Sequence, residues 1–442
     1  MDASQFRAVF LAFFGSGLMV ECILNLLNRR EILRHASLPA RFTDPPFAGR
    51  FDADTFARSR AYALERLSFD GFSLLYSAVV TFVLLFSGLL PWFDRLLART
   101  FTGELHRGAL FLAGILAVQV LIKLPLTLHA TFRIEGKYGF NTMTWGLFWR
   151  DLIKESLLSA LLGLPLVYAV LALMRFFGVR WWAWAFGLLL AFQFTMMIAY
   201  PVFIAPLFNR FRPLEEGEIK SALLALAGRL RFPAGGVYVM DGSRRSLHSN
   251  AYFTGFGRFR RIVLFDTLLR QMDRPELLSV LAHEIGHYKR KHIYKMMAAQ
   301  TVLQGGLLFL ASLALRWPPL YAAFGFTTLP SKGFLAPEPF AGNPAAGLFL
   351  FMTAFSSLSL LLSPLQNLFS RRHEYEADAY AVQVLQDRTA MQTALIKLSH
   401  KNLSNLTPHP WYSAFHYSHP SLAERIGAIE RLRVSASGGA NP

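Results

Sequence analysis

Long apolar stretches alternate with polar segments along the whole chain. Seven of them reach, or nearly reach, the ~20 helical residues that cross a bilayer. They occupy residues 8–27, 71–93, 109–129, 152–177, 181–208, 297–315 and 347–369. The first stretch holds Glu21, precedes Arg29 and Arg30, and has no clear small-residue cleavage site, so it is predicted to be a membrane helix and not a signal peptide.

The polar segment 209–296 has the pattern of a folded, water-exposed region. Helical spacing over 214–230 is followed by short β-type runs at 237–240, 250–254 and 261–265, separated by turn residues. Pro275 then favours the first turn of a further helix.

Composition agrees with a membrane protein. The 442 residues are 53% hydrophobic and 17% charged, with 41 Phe and a mean hydropathy of +0.34. The formal charge of +17 does not indicate nucleic acid as a partner, because no basic motif with stacking aromatics accompanies it. The single cysteine, Cys22, excludes a disulfide within the chain and a thiolate zinc cage.

The basic residues are distributed unequally between the two sides of the predicted membrane. With seven spans, 35 of the 45 Lys and Arg residues lie on one side and 8 on the other. Loops rich in Lys and Arg face the cytosol. The segments 209–296 and 370–434 are therefore predicted to be cytosolic.

A His-Glu-x-x-His pattern lies within the first of these segments. On a helix, His283 and His287 are one turn apart on one face, so their rings can converge on one ion. Imidazoles at this spacing suit zinc, which in catalytic sites takes three protein ligands and leaves one position for water. Glu284 is placed to accept a proton from that water.

A third ligand is expected from the segment that follows the last apolar stretch. Glu374 and Asp378 lie four residues apart and share a face if this segment is helical. One carboxylate can bind the metal while the other accepts a ring N–H from a ligating histidine. His373 is a competing ligand, but it lies about 100° around the helix from Glu374.

At this point the sequence resembles the CAAX prenyl protease 1 family of integral-membrane zinc endopeptidases. The motif 283–287 and the run Ser370-Arg371-x-x-Glu374-Tyr375-x-Ala377-Asp378 carry the resemblance. Further segments typical of the family are 133–141, 204–209, 246–253 and 416–425.

The resemblance implies roles for residues that the spacing alone leaves unassigned. One zinc ion per chain is expected, bound by His283, His287 and Glu374, with Glu284 as the general base. By the i, i+4 argument above, Asp378 is then predicted to support a ligating histidine without binding the metal.

The remaining site residues also follow from the resemblance. His419 is expected to stabilise the oxyanion and Arg425 to support the site. Asn250 and Ala251 are expected on an edge strand that pairs with the substrate backbone.

The expected fold is an α-helical multi-pass membrane protein whose seven transmembrane helices enclose a chamber, closed on the cytosolic side by a zincin-like α+β catalytic domain. Its parts are five membrane helices in 1–208, a catalytic region with the edge strand and the histidine helix in 209–296, two membrane helices in 297–369, the third-ligand helix and C-terminal catalytic region in 370–434, and a disordered tail in 435–442.

The expected function is zinc-dependent hydrolysis of peptide bonds near the C-terminus of prenylated CAAX proteins or of other membrane-associated proteins. Three alternatives remain: a broad quality-control protease without prenyl substrates, an intramembrane-cleaving zinc enzyme, and a transporter with a structural zinc. The expected partners are a protein or peptide substrate and the lipid bilayer, with no nucleic acid. A bacterial plasma membrane is favoured over the endoplasmic reticulum because the C-terminus lacks a lysine-rich retrieval signal.

Overall fold

The computed structural model describes residues 1–254, 261–328 and 340–433. The predicted disordered tail, 435–442, lies outside these residues. The helices are α1 (Ala3–Arg34), α2 (Ala53–Phe86), α3 (Leu89–Thr100), α4 (Glu104–Leu128), α5 (Trp145–Phe177), α6 (Trp181–Ala199), α7 (Ala205–Phe208), α8 (Glu218–Arg229), α9 (Asp266–Gln271), α10 (Arg274–Lys289), α11 (His292–Ala314), α12 (Pro318–Ala322), α13 (Pro344–Leu385), α14 (Arg388–Lys401), α15 (Pro410–His416) and α16 (Leu422–Glu430). The strands are β1 (Phe211–Pro213), β2 (Val237–Met240), β3 (Ala251–Thr254) and β4 (Arg261–Phe265).

The apolar helices form a multi-pass membrane protein. Five helical stretches of the described chain are long and apolar enough to span a bilayer, namely Ala3–Arg34, Ala53–Phe86, Glu104–Glu135, Trp145–Phe208 and His292–Ala314. A sixth span is formed if the bent pair Pro344–Ser356 and Leu358–Leu385 is taken as one. Many large apolar side chains on these helices are exposed, for example Leu121, Leu161 and Val302, as expected of surfaces that face lipid.

The second predicted span, 71–93, does not coincide with one helix. The helix begins earlier, at Ala53, and ends at Phe86, and a separate helix, α3, starts at Leu89. Gly88 separates the two with φ +79°, a left-handed conformation that glycine adopts readily. The break was missed because the apolar run continues through it.

The water-exposed region contains a four-stranded sheet with the order β1-β2-β4-β3. β2 and β4 pair in parallel, while β1 and β3 pair antiparallel to their neighbours. The runs predicted at 237–240 and 261–265 are β2 and β4, and the run predicted at 250–254 starts one residue later. β1 was not predicted, because three residues are too few for a periodic pattern.

Helix α10 begins at a capping box. The Asp273 side chain accepts from the backbone N–H of Glu276, and the Glu276 side chain accepts from the backbone N–H of Asp273. Both N-terminal donors are thereby satisfied, which fixes where the helix starts. Lys397 of α14 donates to the Glu276 carboxylate at 2.7 Å and so pairs a charge that is almost fully buried.

Helices α10 and α13 pack closely against each other at Gly286. A Cβ on Gly286 would lie 3.1 Å from the Cα of Ala377 and 3.2 Å from its carbonyl oxygen. The absence of a side chain therefore lets the two backbones approach. Apolar residues from α8, α10, α13, α14 and the sheet form one core around this crossing.

Candidate metal centre

Three side chains from two helices converge on one point. His283 and His287 project from α10 and Glu374 from α13, and one ligand atom from each lies within 4.8 Å of the others. The two Nε2 atoms are 3.1 Å apart. The Glu374 carboxylate lies 3.6 Å from Nε2 of His283 and 3.3 Å from that of His287. The i, i+4 spacing on α10 produces the pair, and the close crossing at Gly286 brings in the third group.

Asp378 lies one turn beyond Glu374 and contacts a different atom of His283. Its Oδ1 is 2.8 Å from Nδ1, the ring nitrogen that points away from the cluster. Arg425 of α16 holds the same carboxylate with Nε at 2.8 Å and Nη2 at 2.6 Å. Its Nη1 is 3.4 Å from Glu374, so one guanidinium contacts both carboxylates.

Glu284 follows His283 on α10 and is half-buried beside the cluster. Burial raises the pKa of its carboxyl group, because the charged form loses solvation. A carboxyl group with a raised pKa can both accept a proton from water and return it to a departing amine.

His419 lies next to the cluster, in the loop before α16. Its Nε2 is 3.4 Å from Glu374, and its side chain is 63% exposed. The hydroxyl of Ser418 lies 2.9 Å from its Nδ1. A cavity of about 470 Å³ borders His419 and Arg425, so a ligand can reach this ring from solvent.

Asn250 and Ala251 lie at the edge of the sheet. Ala251 begins β3, the last strand, and the carbonyl of Asn250 accepts from the backbone N–H of Phe265. Among the described residues, neither takes part in the ion pairs of the histidine cluster. Asn402, the residue after α14, contacts the segment that leads into β3. Its Oδ1 accepts from the backbone N–H of Ser249 at 3.3 Å.

The structure brings together His283, His287 and Glu374 and places Asp378, His419 and Arg425 around them, and the roles of these residues stay predictions. His373, the competing ligand, lies outside the cluster and stacks on His292 at 4.0 Å between ring centroids. His292 and Glu376 were not singled out, although His292 contacts His287 directly. Their spacing from the motif follows no helical period, so no sequence signal pointed to them.

The side chains present fit a metal ion. Glu374 Oε2 is buried and, within the described chain, accepts no hydrogen bond, although Nη1 of Arg425 lies 3.4 Å from it at ion-pair distance. A buried carboxylate oxygen in this state costs free energy unless a cation or a donor satisfies it. Two imidazoles and one carboxylate form a donor set that zinc accepts while keeping a position open.

A carboxylate base beside such a donor set is the arrangement with which metallopeptidases hydrolyse amides. Because this arrangement lies on a multi-pass membrane chain, the protein is a membrane metalloendopeptidase.

Comparison with known protein families assigns the chain to one family within this class. Residues 213–433 match peptidase family M48, and residues 29–210 match the family described as CAAX prenyl protease N-terminal, five membrane helices. The chain belongs to the CAAX prenyl protease 1 family.

Individual relatives agree over most of the length. The CAAX prenyl protease 1 homolog of Oryza sativa is 37% identical over 413 residues, covering 90% of this chain and 93% of the relative. CAAX prenyl protease 1 of Saccharomyces cerevisiae is 36% identical, covering 87% of this chain and 88% of the relative. The crystal structure of S. mikatae Ste24p matches with a TM-score of 0.87 and 34% identity, over 96% of this chain and 99% of that one.

The comparisons give no support to the preference for a bacterial plasma membrane. The relatives named above are eukaryotic proteins. What they support is a multi-pass membrane location.

Proposed function

We propose that this chain is a zinc endopeptidase that cleaves CAAX proteins near their C-terminus. The convergence of His283, His287 and Glu374 on one point, with Glu284 alongside, is the observation that carries the chemistry. The substrate class rests on the relatives, which are named for CAAX processing.

In this proposal, His283, His287 and Glu374 hold the zinc ion, which when bound supplies a Lewis acid that acidifies water and polarises the scissile carbonyl. Glu284 accepts the proton of the attacking water. It then delivers that proton to the leaving amine nitrogen, a transfer that its raised pKa favours.

His419 stabilises the negative charge that develops on the carbonyl oxygen. When the Ser418 hydroxyl donates to Nδ1, the ring proton is on Nε2, which faces the cluster and can donate to the oxyanion. Arg425 acts differently. Because its guanidinium already binds Asp378 and lies near Glu374, it positions these carboxylates and balances their charge.

The substrate backbone adds to the free edge of β3 at Asn250 and Ala251. Edge strands offer N–H and C=O groups with which an extended peptide can pair. Here the backbone N–H of Ala251 donates to Oδ1 of Asn250 at 2.8 Å, a hydrogen bond that a bound peptide would replace. The packing of β3 against α10 supports this role, since a peptide on the edge would pass close to the metal helix.

We further propose seven spans around a polar chamber, with the catalytic region on the cytosolic side. The 64-residue stretch Trp145–Phe208 is interrupted by a 3-10 turn at Gly178–Arg180, and α5 and α6 pack against each other, which supports two passes. Polar pairs between helices support a wet interior, because such groups are costly in lipid. One example is Gln193 of α6, which donates to Gln304 of α11 at 3.0 Å.

The deciding experiment offers the purified protein two peptides, a farnesylated CAAX peptide and the same peptide without the lipid, and identifies products by mass spectrometry. The proposal expects release of the residues that follow the modified cysteine. Cleavage of both peptides at equal rates would favour the quality-control alternative. No cleavage of either by zinc-loaded protein would contradict the proposed substrate class.

A transporter with a structural zinc makes a different prediction in the same experiment. It expects the same result from the parent and from Glu284→Gln, because neither would cleave. Metal analysis of a His287→Ala, Glu374→Ala double variant tests the ligand set separately, since full occupancy there would contradict it.

A further inference from the structure

A second set of hydrogen bonds continues outward from His287. Its Nδ1 lies 3.0 Å from Nδ1 of His292, the first residue of α11. Nε2 of His292 lies 3.1 Å from the carboxylate of Glu376 on α13. The other oxygen of Glu376 accepts from Arg372 at 3.1 Å. His292 is only 2% exposed, so both of its ring nitrogens require partners, and both have one.

The carboxylate at the outer end fixes the direction of every donor in this chain. Ionised Glu376 can only accept, so Nε2 of His292 carries the proton and its Nδ1 is an acceptor. Nδ1 of His287 must then be the donor, which leaves the lone pair on Nε2. That nitrogen is the one that faces His283 and Glu374.

We propose that His292 and Glu376 are positioning residues for His287, setting its tautomer and ring orientation for the metal. His287 is thus held through an imidazole and then a carboxylate, whereas His283 is held by a carboxylate directly. The inference rests on the proposal that His287 is a ligand. It adds two residues that lie outside the metal-binding cluster.

The contact between the rings of His287 and His292 depends on the conformation of the backbone between them. In an uninterrupted helix, residues five apart point about 140° away from each other, so their rings would not meet. Lys291 interrupts the helix with φ +58°, a left-handed conformation that is rare for residues other than glycine. The chain turns there, and α11 starts with His292 directed back at His287.

Helix α13 holds the His292 ring from a second side. His373 stacks on it with a centroid distance of 4.0 Å and an interplanar angle of 14°. Glu376 lies three residues further along the same helix. α13 therefore supplies both the acceptor and the stacking partner of His292, in addition to the metal-facing Glu374.

The test measures zinc retention against a graded series of chelators. His292→Phe keeps an aromatic ring for the stack but removes both hydrogen bonds. Loss of the partner of a ligating histidine typically costs about 10–100-fold in metal affinity. His292→Phe should show a loss of that size. The matched control is His400→Phe, which removes a half-buried histidine that contacts Thr55 and not the histidine cluster. This variant should retain zinc like the parent.

Glu376 provides an independent arm, because its side chain is 30% exposed and its replacement perturbs packing less. Glu376→Leu removes the acceptor and should weaken zinc retention. Glu376→Gln keeps an accepting oxygen and should restore most of it. A structural role alone would not distinguish these two variants when the melting temperatures of the metal-free proteins are equal.

Three results separate the possibilities. Parent-like retention in both His292→Phe and Glu376→Leu would overturn the inference, provided that His287→Ala loses zinc. Full zinc in His287→Ala would overturn the proposed ligand set, and this inference with it. If His292→Phe does not fold, equal retention in Glu376→Leu and Glu376→Gln overturns the inference by itself.

Discussion

At the scale of single residues, a substitution at Glu284 distinguishes a loss of catalysis from a loss of metal binding. Glu284→Gln keeps the shape of the side chain but cannot accept the proton of water. We expect turnover to fall ~10²–10⁴-fold, the usual contribution of general acid–base catalysis, while zinc content and melting temperature stay at parental values. Near-normal turnover, measured as peptide released per bound zinc, would contradict the role of Glu284 as base.

Asp378 is expected to act through His283 and not as a ligand. Its Oδ1 is placed 2.8 Å from Nδ1, on the far side of the ring from the cluster. Asp378→Asn keeps an accepting oxygen and should weaken zinc retention slightly, Asp378→Ala should weaken it more, and Glu374→Ala most of all. The order is read from zinc release to a chelator. Equal retention in the parent and both Asp378 variants would leave Asp378 without this role.

At the scale of helices, the crossing of α10 and α13 determines whether the three ligands meet. Gly286→Ala would place a methyl group 3.1 Å from the backbone of Ala377, which cannot move aside as a flexible side chain would. We expect the helices to separate by a few tenths of an ångström. The expected costs are about 1–3 kcal/mol of stability and weaker zinc retention.

Gly228→Ala is the control for that change. Gly228 also lies on a helix, but a Cβ there has no neighbour within 4 Å among the described residues. It should be neutral or slightly stabilising. Thermal unfolding in detergent and zinc release, measured side by side, compare the two. If both variants retain zinc like the parent, the close approach is not required for the metal site.

We expect the edge strand to depend on Asn402, the residue that follows α14. Its Oδ1 accepts from the backbone N–H of Ser249 and lies 3.2 Å from Nδ1 of His248. Asn402→Ala leaves the start of β3 without this support. Because β3 is proposed to bind the substrate backbone, KM should rise more than kcat falls. A fall in kcat with KM unchanged would instead place Asn402 in the chemical step.

The sequence predicted these elements unevenly, for physical reasons. The i, i+4 histidines and the helix start marked by Pro275 are local features, so the sequence alone located them. The crossing at Gly286 depends on a helix some ninety residues away, and the turn at Lys291 has a conformation that its residue type disfavours. Neither can be read from a local pattern, and so the contact between His287 and His292 was missed.

At the scale of the whole molecule, the basic residues predict how the chain is oriented. With seven spans, Ser221 on α8 is cytosolic, while Val179, between α5 and α6, faces the other side. Cys22 is the single cysteine, so Cys22→Ser gives a background for labelling. When the protein is expressed in the plasma membrane of intact bacterial cells, an impermeant thiol reagent should modify Val179→Cys but not Ser221→Cys.

Cell lysis provides the control, since both cysteines should then react. Labelling of Ser221→Cys in intact cells would reverse the proposed orientation. Labelling of neither or both positions would contradict two separate passes by α5 and α6.

The sequence identifies the apolar stretches more readily than the number of membrane spans that they form. Length and hydropathy identify segments that enter a bilayer, but breaks such as Gly88 are invisible in hydropathy. The bend of 58° between Pro344–Ser356 and Leu358–Leu385 is likewise not visible in hydropathy.

The start of α11 has a consequence for substrate choice. A candidate span begins at His292, only five residues after His287, and the turn at Lys291 lies between the two. We therefore expect the proposed metal site to lie close to the membrane surface. For a substrate that is anchored in the membrane, we expect the scissile bond to reach the site only when the bond lies near that surface. The number of residues between the membrane anchor and the scissile bond then determines whether a substrate is cleaved. Inserting residues into that spacer should abolish cleavage even when the local sequence is unchanged.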